Sequence, residues 1–333
     1  MNLKTSTKTA LIDLELISYS HAAKAESTGT GLKSLVEMVE FTIQSVVSAC
    51  RAQEHYLVVS GRDNFRKVLY PDYKAGRREK PPLYVPLMDK LEELNNHRWC
   101  KHDQLEADDL LGIMLTNGRV KNPILCSIDK DLLGVPGWHY NWNKDDWPRQ
   151  VTQSEADFHW LVQLLMGDST DNYKGIPGVG KVGAHKITSA AASPKQMWMN
   201  VIQAFIDNGL TQEYAITMIR LARILRYDDY NFNNGEVRLW HPNSLKAEWI
   251  QPSALNTTNS ETEFKLSTTS KPSRKRSKVT KPSNLQTSSS TSVDTEAKVK
   301  PSTISTKQDG ISTDSSPSSS EKKWTITETL SDE

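Results

Sequence analysis

The sequence predicts an α/β fold: a parallel sheet covered by helices on both faces, continued by a mostly helical region. Two observations carry this. Short apolar runs alternate with amphipathic helical stretches over the first 250 residues, and acidic residues fall at or just past the ends of the apolar runs. In parallel α/β sheets ligands bind beyond the carboxyl ends of the strands, so the acids stand where chemistry is expected.

Thr9–Leu14 is a short apolar run containing Asp13, and Leu35–Val47 has the periodicity of a helix. His55–Ser60, through Tyr56, Leu57, Val58 and Val59, reads as a buried strand. Leu105–Leu115 reads as a helix with Leu110, Leu111 and Met114 on one side. Pro123–Ser127 is a further strand and Phe158–Met166 a further amphipathic helix. The division drawn from these elements is residues 1–150 for the sheet-bearing core, 151–250 for a helical subdomain and 251–333 for a tail. In that tail 35 of 83 residues are Ser or Thr. Such a composition buries too little apolar area to offset ordering entropy, so the tail is expected to be disordered. Its basic patch, Lys271 to Lys278, suits a phosphate backbone, an import signal or a solvated linker equally.

The bulk numbers exclude several classes. A formal charge of +1 over 333 residues gives no sign of a uniformly basic DNA-coating protein, because acidic clusters and basic segments cancel. Cys50, Cys100 and Cys126 are odd in number and lack CxxC spacing, against a disulfide framework or structural zinc and for a reducing cytosol. The opening MNLKTSTKTA has no apolar signal core, and no stretch approaches 18 apolar residues, so a soluble cytoplasmic protein without membrane contact is expected.

Three acidic clusters carry the chemistry: Glu106-Ala-Asp108-Asp109, Asp129-Lys-Asp131 and Asp168-Ser-Thr-Asp171, joined by Asp13. Glu106 and Asp108 share a side only if the chain is extended there. The extended-to-helix transition is therefore placed at Glu106–Asp108, with Asp108 and Asp109 in the first helical turn, where negative charge suits the dipole. Asp129 and Asp131 repeat the two-residue spacing after a strand, and Asp168 and Asp171 share a face if helical. Each cluster alone is compatible with an ordinary helix start or a surface turn. Together at one sheet end they would repel and raise one another's pKa values, unless two Mg²⁺ or Mn²⁺ ions neutralise them. Such a pair activates water and stabilises the leaving oxygen of a scissile phosphate.

Two further strings suit DNA. In Asp168 to Ala184, Gly178-Val-Gly180-Lys181 before an apolar helical stretch reads as the hairpin of a helix-hairpin-helix, whose backbone N–H groups grip phosphate without reading sequence. Asn64 to Pro81 interleaves Arg66, Lys67, Lys74, Arg77 and Arg78 with Phe65 and Tyr73. Cations and rings together suit a single-stranded end. Tyr19 could stack on a terminal base or serve the core.

The order LIDLE, YKAGR, LEADD, SIDKDL and MGDSTDNYKGIPGVGKVGAHKI resembles the 5′-nuclease superfamily. The stretch Ala222 to Phe232 with Leu239-Trp-His-Pro242 is most similar to exonucleases of short-tailed DNA phages. The resemblance spans roughly residues 8–242. It implies a PIN-like (resolvase-like) core with a helical arch, a helix-hairpin-helix subdomain, and metal-binding carboxylates at Asp13, Glu106, Asp108, Asp109, Asp129, Asp131, Asp168 and Asp171. It implies Lys74 and Arg77 as arch cations at the scissile phosphate. It implies Gly178, Gly180 and Lys181 as the hairpin that holds duplex DNA, commonly with K⁺, while Arg66, Lys67, Tyr73, Arg78 and Tyr19 are read as DNA contacts from the residues alone, against a solvated basic helix or a core tyrosine. The family's aspartate at the end of the second strand is not in place here. Gly61 occupies that position, and either Asp63 enters the cluster or that ligand is missing.

The implied activity is a Mg²⁺-dependent 5′→3′ exonuclease on double-stranded DNA with free or frayed 5′ ends, with RNA in RNA–DNA hybrids as a second substrate. A phage-encoded protein would work in the host cytosol, in replication, recombination or degradation of host DNA. The rivals are a 5′-flap endonuclease, a PIN-type ribonuclease, which needs neither the hairpin string nor YKAGR, and a non-catalytic DNA-binding factor.

Overall fold

The computed structural model of the chain describes residues 7–243 and 248–250. The tail from residue 251 on, with its basic patch, lies outside the described residues.

A six-stranded sheet organises the molecule. Its strands are β1 (Thr9–Asp13), β2 (Glu54–Val59), β3 (Trp99–Lys101), β4 (Pro123–Cys126), β5 (Gly137–Tyr140) and β6 (Arg149–Val151), in the order β3-β2-β1-β4-β5-β6. All neighbours run parallel except β5 and β6. The order reverses at β1, with β2 on one side and β4 on the other, so a crevice opens between the carboxyl ends of β1 and β4.

Alternation along the strands builds a core on each face. Ala10, Ile12, Leu57, Val59, Ile124 and Cys126 pack against α1 (Leu14–Thr28), α2 (Leu32–Cys50) and α4 (Tyr84–Asn95). Leu11, Val58 and Leu125 face the other way, against α5 (Ala107–Thr116) and the chain around Leu225 and Val237. With both faces covered, all five residues of β1 are buried, Asp13 included.

A third core joins α6 (Gln153–Met166), α7 (Lys181–Ser189), α8 (Pro194–Asp207) and α9 (Gln212–Ala222). Helix α6 starts earlier than the periodicity from Phe158 indicates, because Thr152 and Glu155 form a capping box. After α9 the chain turns back along α5, where Leu225 N–H bonds to Asp109 and Tyr227 N–H to Thr116 Oγ1. Gly112 permits that approach, since a Cβ there would lie 2.3 Å from the Leu225 carbonyl oxygen. A small sheet, β9 (Tyr230–Asn231), β10 (Glu236–Leu239) and β11 (Glu248–Ile250), follows.

The basic stretch becomes α3 (Phe65–Leu69) and a run of turns, and α4 follows it. Helix α5 begins at Ala107 with Glu106 extended at the N-cap (φ −73, ψ 159), as the spacing of Glu106 and Asp108 requires. The helices α1, α4, α8 and α9 and the antiparallel edge β6 were not among the elements read from periodicity.

Candidate active site

Asp13 ends β1 and caps α1, accepting a 3.4 Å hydrogen bond from Leu16 N–H. Across the crevice Ser127 Oγ donates to its other oxygen at 2.7 Å, and the same Oγ accepts Asp129 N–H at 3.0 Å. Asp129 in turn accepts Asp131 N–H at 2.8 Å. The β4 end is thus tied to the β1 end through one serine hydroxyl, and the acids of SIDKD are presented from a tight turn.

Asp168, in a short hairpin of β7 (Gly167–Asp168) and β8 (Tyr173–Lys174), accepts the N–H groups of Thr170 and Asp171. Gly167 holds the hairpin against α6 with φ +74; a Cβ there would sit 2.3 Å from Gly175 N.

The clusters converge electrostatically. Burial, then the charges of Glu15 and Asp129, push Asp13 up to about 7. Burial, then Asp13 and Asp129, hold Asp108 well above the carboxylate range. Asp129 is raised by burial and by Asp171 and Asp168, and Asp131 rises to about 6 through burial and Asp129. Glu106 goes the other way: burial would raise it, but Lys74 and Arg66 outweigh that and keep it ionised. Asp13, Glu106, Asp108, Asp129, Asp131, Asp168 and Asp171 therefore occupy one continuous acidic region at the carboxyl end of the sheet.

Cations border it. Lys74, in a left-handed conformation at φ +60, pairs with Glu106 and lies 3.9 Å from Asp171. Arg77 pairs with Asp171. Among the described residues no three carboxylate, histidine or cysteine side chains already stand close enough to hold an ion. Lys74, Arg77 and Arg66 engage Glu106 and Asp171 instead. The donor set still fits a hard divalent cation. Every candidate donor is a carboxylate oxygen, and one buried oxygen of Asp131 has no hydrogen-bond partner, with the Lys130 ammonium 3.7 Å away.

Four sequence expectations need correction. Asp109 is fully buried, and both its oxygens are taken: Arg66 grips it with bonds of 2.6 and 2.7 Å, and Leu225 N–H adds a third at 3.0 Å. It is committed to Arg66, whose Nη1 it shares with Glu106, between α5 and the returning chain. Arg66 is 2% exposed and also bonds Glu106 and the carbonyls of Leu221 and Arg223, so it is a buried strut rather than a DNA contact. Tyr73 is 3% exposed, its hydroxyl donating to Asp171 at 2.9 Å, and offers no ring for stacking. Asp63 is tied through its N–H to the Asp103 carbonyl, and no described hydrogen bond or ion pair links its side chain to the acids. Gly61 itself has no room for a side chain, since a Cβ would fall 2.1 Å from the His102 carbonyl oxygen.

The remaining positions are on the surface. Lys67, Arg78 and Lys181 are exposed, and Tyr19 is 41% exposed beside the Tyr84 ring. Gly178 takes φ +79 in the turn before α7, and Gly180 is the N-cap of α7. Beside Lys181 the apolar Val182 stands in solvent.

Periodicity and spacing missed Glu15, Ser60 and Ser127. Glu15 stands two residues from Asp13 within the LIDLE string, the same spacing that drew attention to Asp129 and Asp131. The polar partners carry no charge pattern that would single them out.

Residues 8–154 match the family model described as the 5′-3′ exonuclease, N-terminal resolvase-like domain. The exodeoxyribonuclease of Enterobacteria phage T3 is 28% identical over 214 residues, covering 54% of this chain and 71% of the phage protein. The exonuclease of Escherichia phage T7 is 29% identical over 212 residues, with the same coverage. Among solved structures, the T5 D15 protein co-crystallised with metal ions shares the fold at a TM-score of 0.50 and 17% identity. That likeness covers 65% of this chain and 88% of that one.

Proposed function

We propose that this chain, which belongs to the 5′-nuclease superfamily, is a divalent-metal-dependent 5′→3′ exodeoxyribonuclease that removes short products from the 5′ ends of duplex DNA. The observation that carries the reading is the convergence of acids from β1, α5, the turn after β4 and the β7–β8 hairpin on one recess bordered by Lys74 and Arg77.

Asp13, Glu106 and Asp108, with Asp129, Asp131, Asp168 and Asp171, would hold two Mg²⁺ or Mn²⁺ ions. When bound, these supply an activated water and neutralise charge on the leaving oxygen. Lys74 and Arg77 are poised to exchange Glu106 and Asp171 for the scissile phosphate and to stabilise charge that develops on it. Asp109 and Arg66 position α5, and so the carboxylates of its first turn, without touching substrate. Gly178, Gly180 and Lys181 present backbone N–H groups and a cation to the duplex backbone, with K⁺ as the companion ion. Tyr19, Lys67 and Arg78 are exposed for the strand leaving the duplex. RNA in RNA–DNA hybrids is the second substrate, because such contacts are to backbone and stacked bases.

The test is 5′-labelled duplex incubated with and without Mg²⁺, beside a 5′-flap substrate. Short products released from the blunt 5′ end, only with metal, support the reading. Cleavage confined to the flap junction replaces it with a flap endonuclease. No cleavage of either substrate in Mg²⁺ or Mn²⁺ leaves a DNA-binding factor.

A further inference from the structure

The strand ends that meet the acidic recess are not alike. β1 ends in Asp13, and β4 runs into Asp129, but β2 ends in Val59-Ser60-Gly61, where Gly61 has no space for a side chain. A different element reaches across that edge. Glu15, in the first turn of α1, accepts a 2.7 Å hydrogen bond from Ser60 Oγ.

The surrounding bonds fix the direction of every proton. Glu106 caps α5 without a side-chain bond, so Ala107 N–H would otherwise be unsatisfied; it donates to Ser60 Oγ at 3.0 Å. With its oxygen occupied as acceptor, Ser60 turns its hydroxyl proton to Glu15. Ser60 Oγ thus commits its proton to this one carboxylate, at the end of β2. On α4, burial and then the Glu15 charge push the Tyr84 hydroxyl up. The Glu15–Ser60 bond joins the start of α1 to the end of β2 and, through Ala107 N–H, to the first turn of α5, the turn that carries Asp108.

We propose that Glu15 is part of the divalent-cation site, supplying on the β2 side the carboxylate that β2 itself lacks. This inference rests on the proposed function and adds a residue to its site. Ser60 is a positioning residue that holds the Glu15 carboxylate at the end of β2. Asp63, tied to the Asp103 carbonyl, takes no part.

Mn²⁺ titration of the full chain by calorimetry, with the bound ion followed by electron paramagnetic resonance, tests this apart from activity. Glu15→Gln weakens Mn²⁺ binding about tenfold or more and changes the spectrum of the bound ion, whereas Asp63→Asn stays within about twofold. Ser60→Ala, which keeps the charge of Glu15, loses less than Glu15→Gln. Glu15→Asp, which also retains the charge, recovers part of the affinity and serves if the Gln variant does not fold. Wild-type affinity in Glu15→Gln, or an equal loss in Ser60→Ala, overturns the inference. Asp13→Asn separates the two readings. If it loses Mn²⁺ while Glu15→Gln does not, only this inference fails. If the wild-type chain binds no Mn²⁺, the proposed function fails with it.

Discussion

Arg66 holds Asp109 with two parallel N–H···O bonds, 2.6 and 2.7 Å long, and neither side chain reaches solvent. The guanidinium also bonds the carbonyls of Leu221 and Arg223, pinning the end of α9 and the chain beyond it to the start of α5. Removing one partner of such a pair leaves a buried charge uncompensated. Arg66→Ala is expected to cost about 3–5 kcal/mol. Urea denaturation checks this. Asp109→Asn should lose stability in the same range yet, where folded, retain Mn²⁺ affinity. A fully stable Asp109→Asn protein that loses the ion would make Asp109 a ligand after all.

Asp108 and Asp129 lie inside the recess, each raised by its carboxylate neighbours. Asp108→Asn or Asp129→Asn should lower the cleavage rate by about a thousandfold or more, on the scale of losing metal-ion charge stabilisation. Duplex binding should change little. Single-turnover rates and a fluorescence anisotropy titration separate the two effects. Full activity in either variant removes the site assignment.

Asp13 and Asp131 titrate above an unfolded carboxylate, at about 7 and about 6 against a reference of 3.8. The folded state therefore binds protons more tightly than the unfolded one between these values. Their stabilising contribution is complete below about pH 4 and is lost as pH rises through 6 to 7. Without divalent ions, thermal melts should show wild type losing stability relative to Asp13→Asn across this window. Divalent-ion binding near pH 6 should release protons, measurable as a dependence of the calorimetric heat on buffer ionisation enthalpy. Parallel melting curves for the two proteins from pH 4 to 8 would contradict the assignment.

Lys74 and Arg77 form ion pairs with Glu106 and Asp171. Each alanine variant should lower the single-turnover rate by about a hundred- to a thousandfold, the scale for removing one group that stabilises transition-state charge. Duplex affinity should fall far less. A loss confined to affinity would place both side chains in binding rather than chemistry.

Lys181 opens α7 beside the turn at Gly178 and is exposed. If the hairpin holds phosphate, Lys181→Ala weakens duplex binding similarly for all sequences. It also lowers the slope of log affinity against log salt by about one. An unchanged slope would remove Lys181 from the DNA contacts.

Much of the sheet was legible in the sequence because its signals are local. Thr9–Leu14, His55–Ser60 and Pro123–Ser127 are apolar runs; the structure places β1 and β4 within the first and third and starts β2 one residue before the second, at Glu54. The two-residue spacing of Glu106 and Asp108 located the start of α5. Helix α1 was less legible, since its apolar residues follow no one-sided helical pattern, whereas α8 and α9 carry strongly one-sided apolar faces already written in the sequence.

The roles of individual charged residues were a different matter. Arg66 and Tyr73 stand in a basic, aromatic stretch that looks exposed, yet both point inward, because α3 packs against α9 and the turn after it sets Tyr73 against Asp171 of the β7–β8 hairpin. Asp108 and Asp109 are adjacent and indistinguishable by type. One helical residue turns the second by about 100°, onto Arg66.

The sequence alone determined that acids would gather at the carboxyl ends of parallel strands, since strand and helix periodicity with charge at the boundaries is written in neighbouring residues. Only the tertiary structure decided which acids face the recess, which are spent on a buried arginine, and that Glu15 lies across the end of β2. Those assignments depend on distances between elements remote in the chain, and charge is satisfied by whichever partner packing brings within reach.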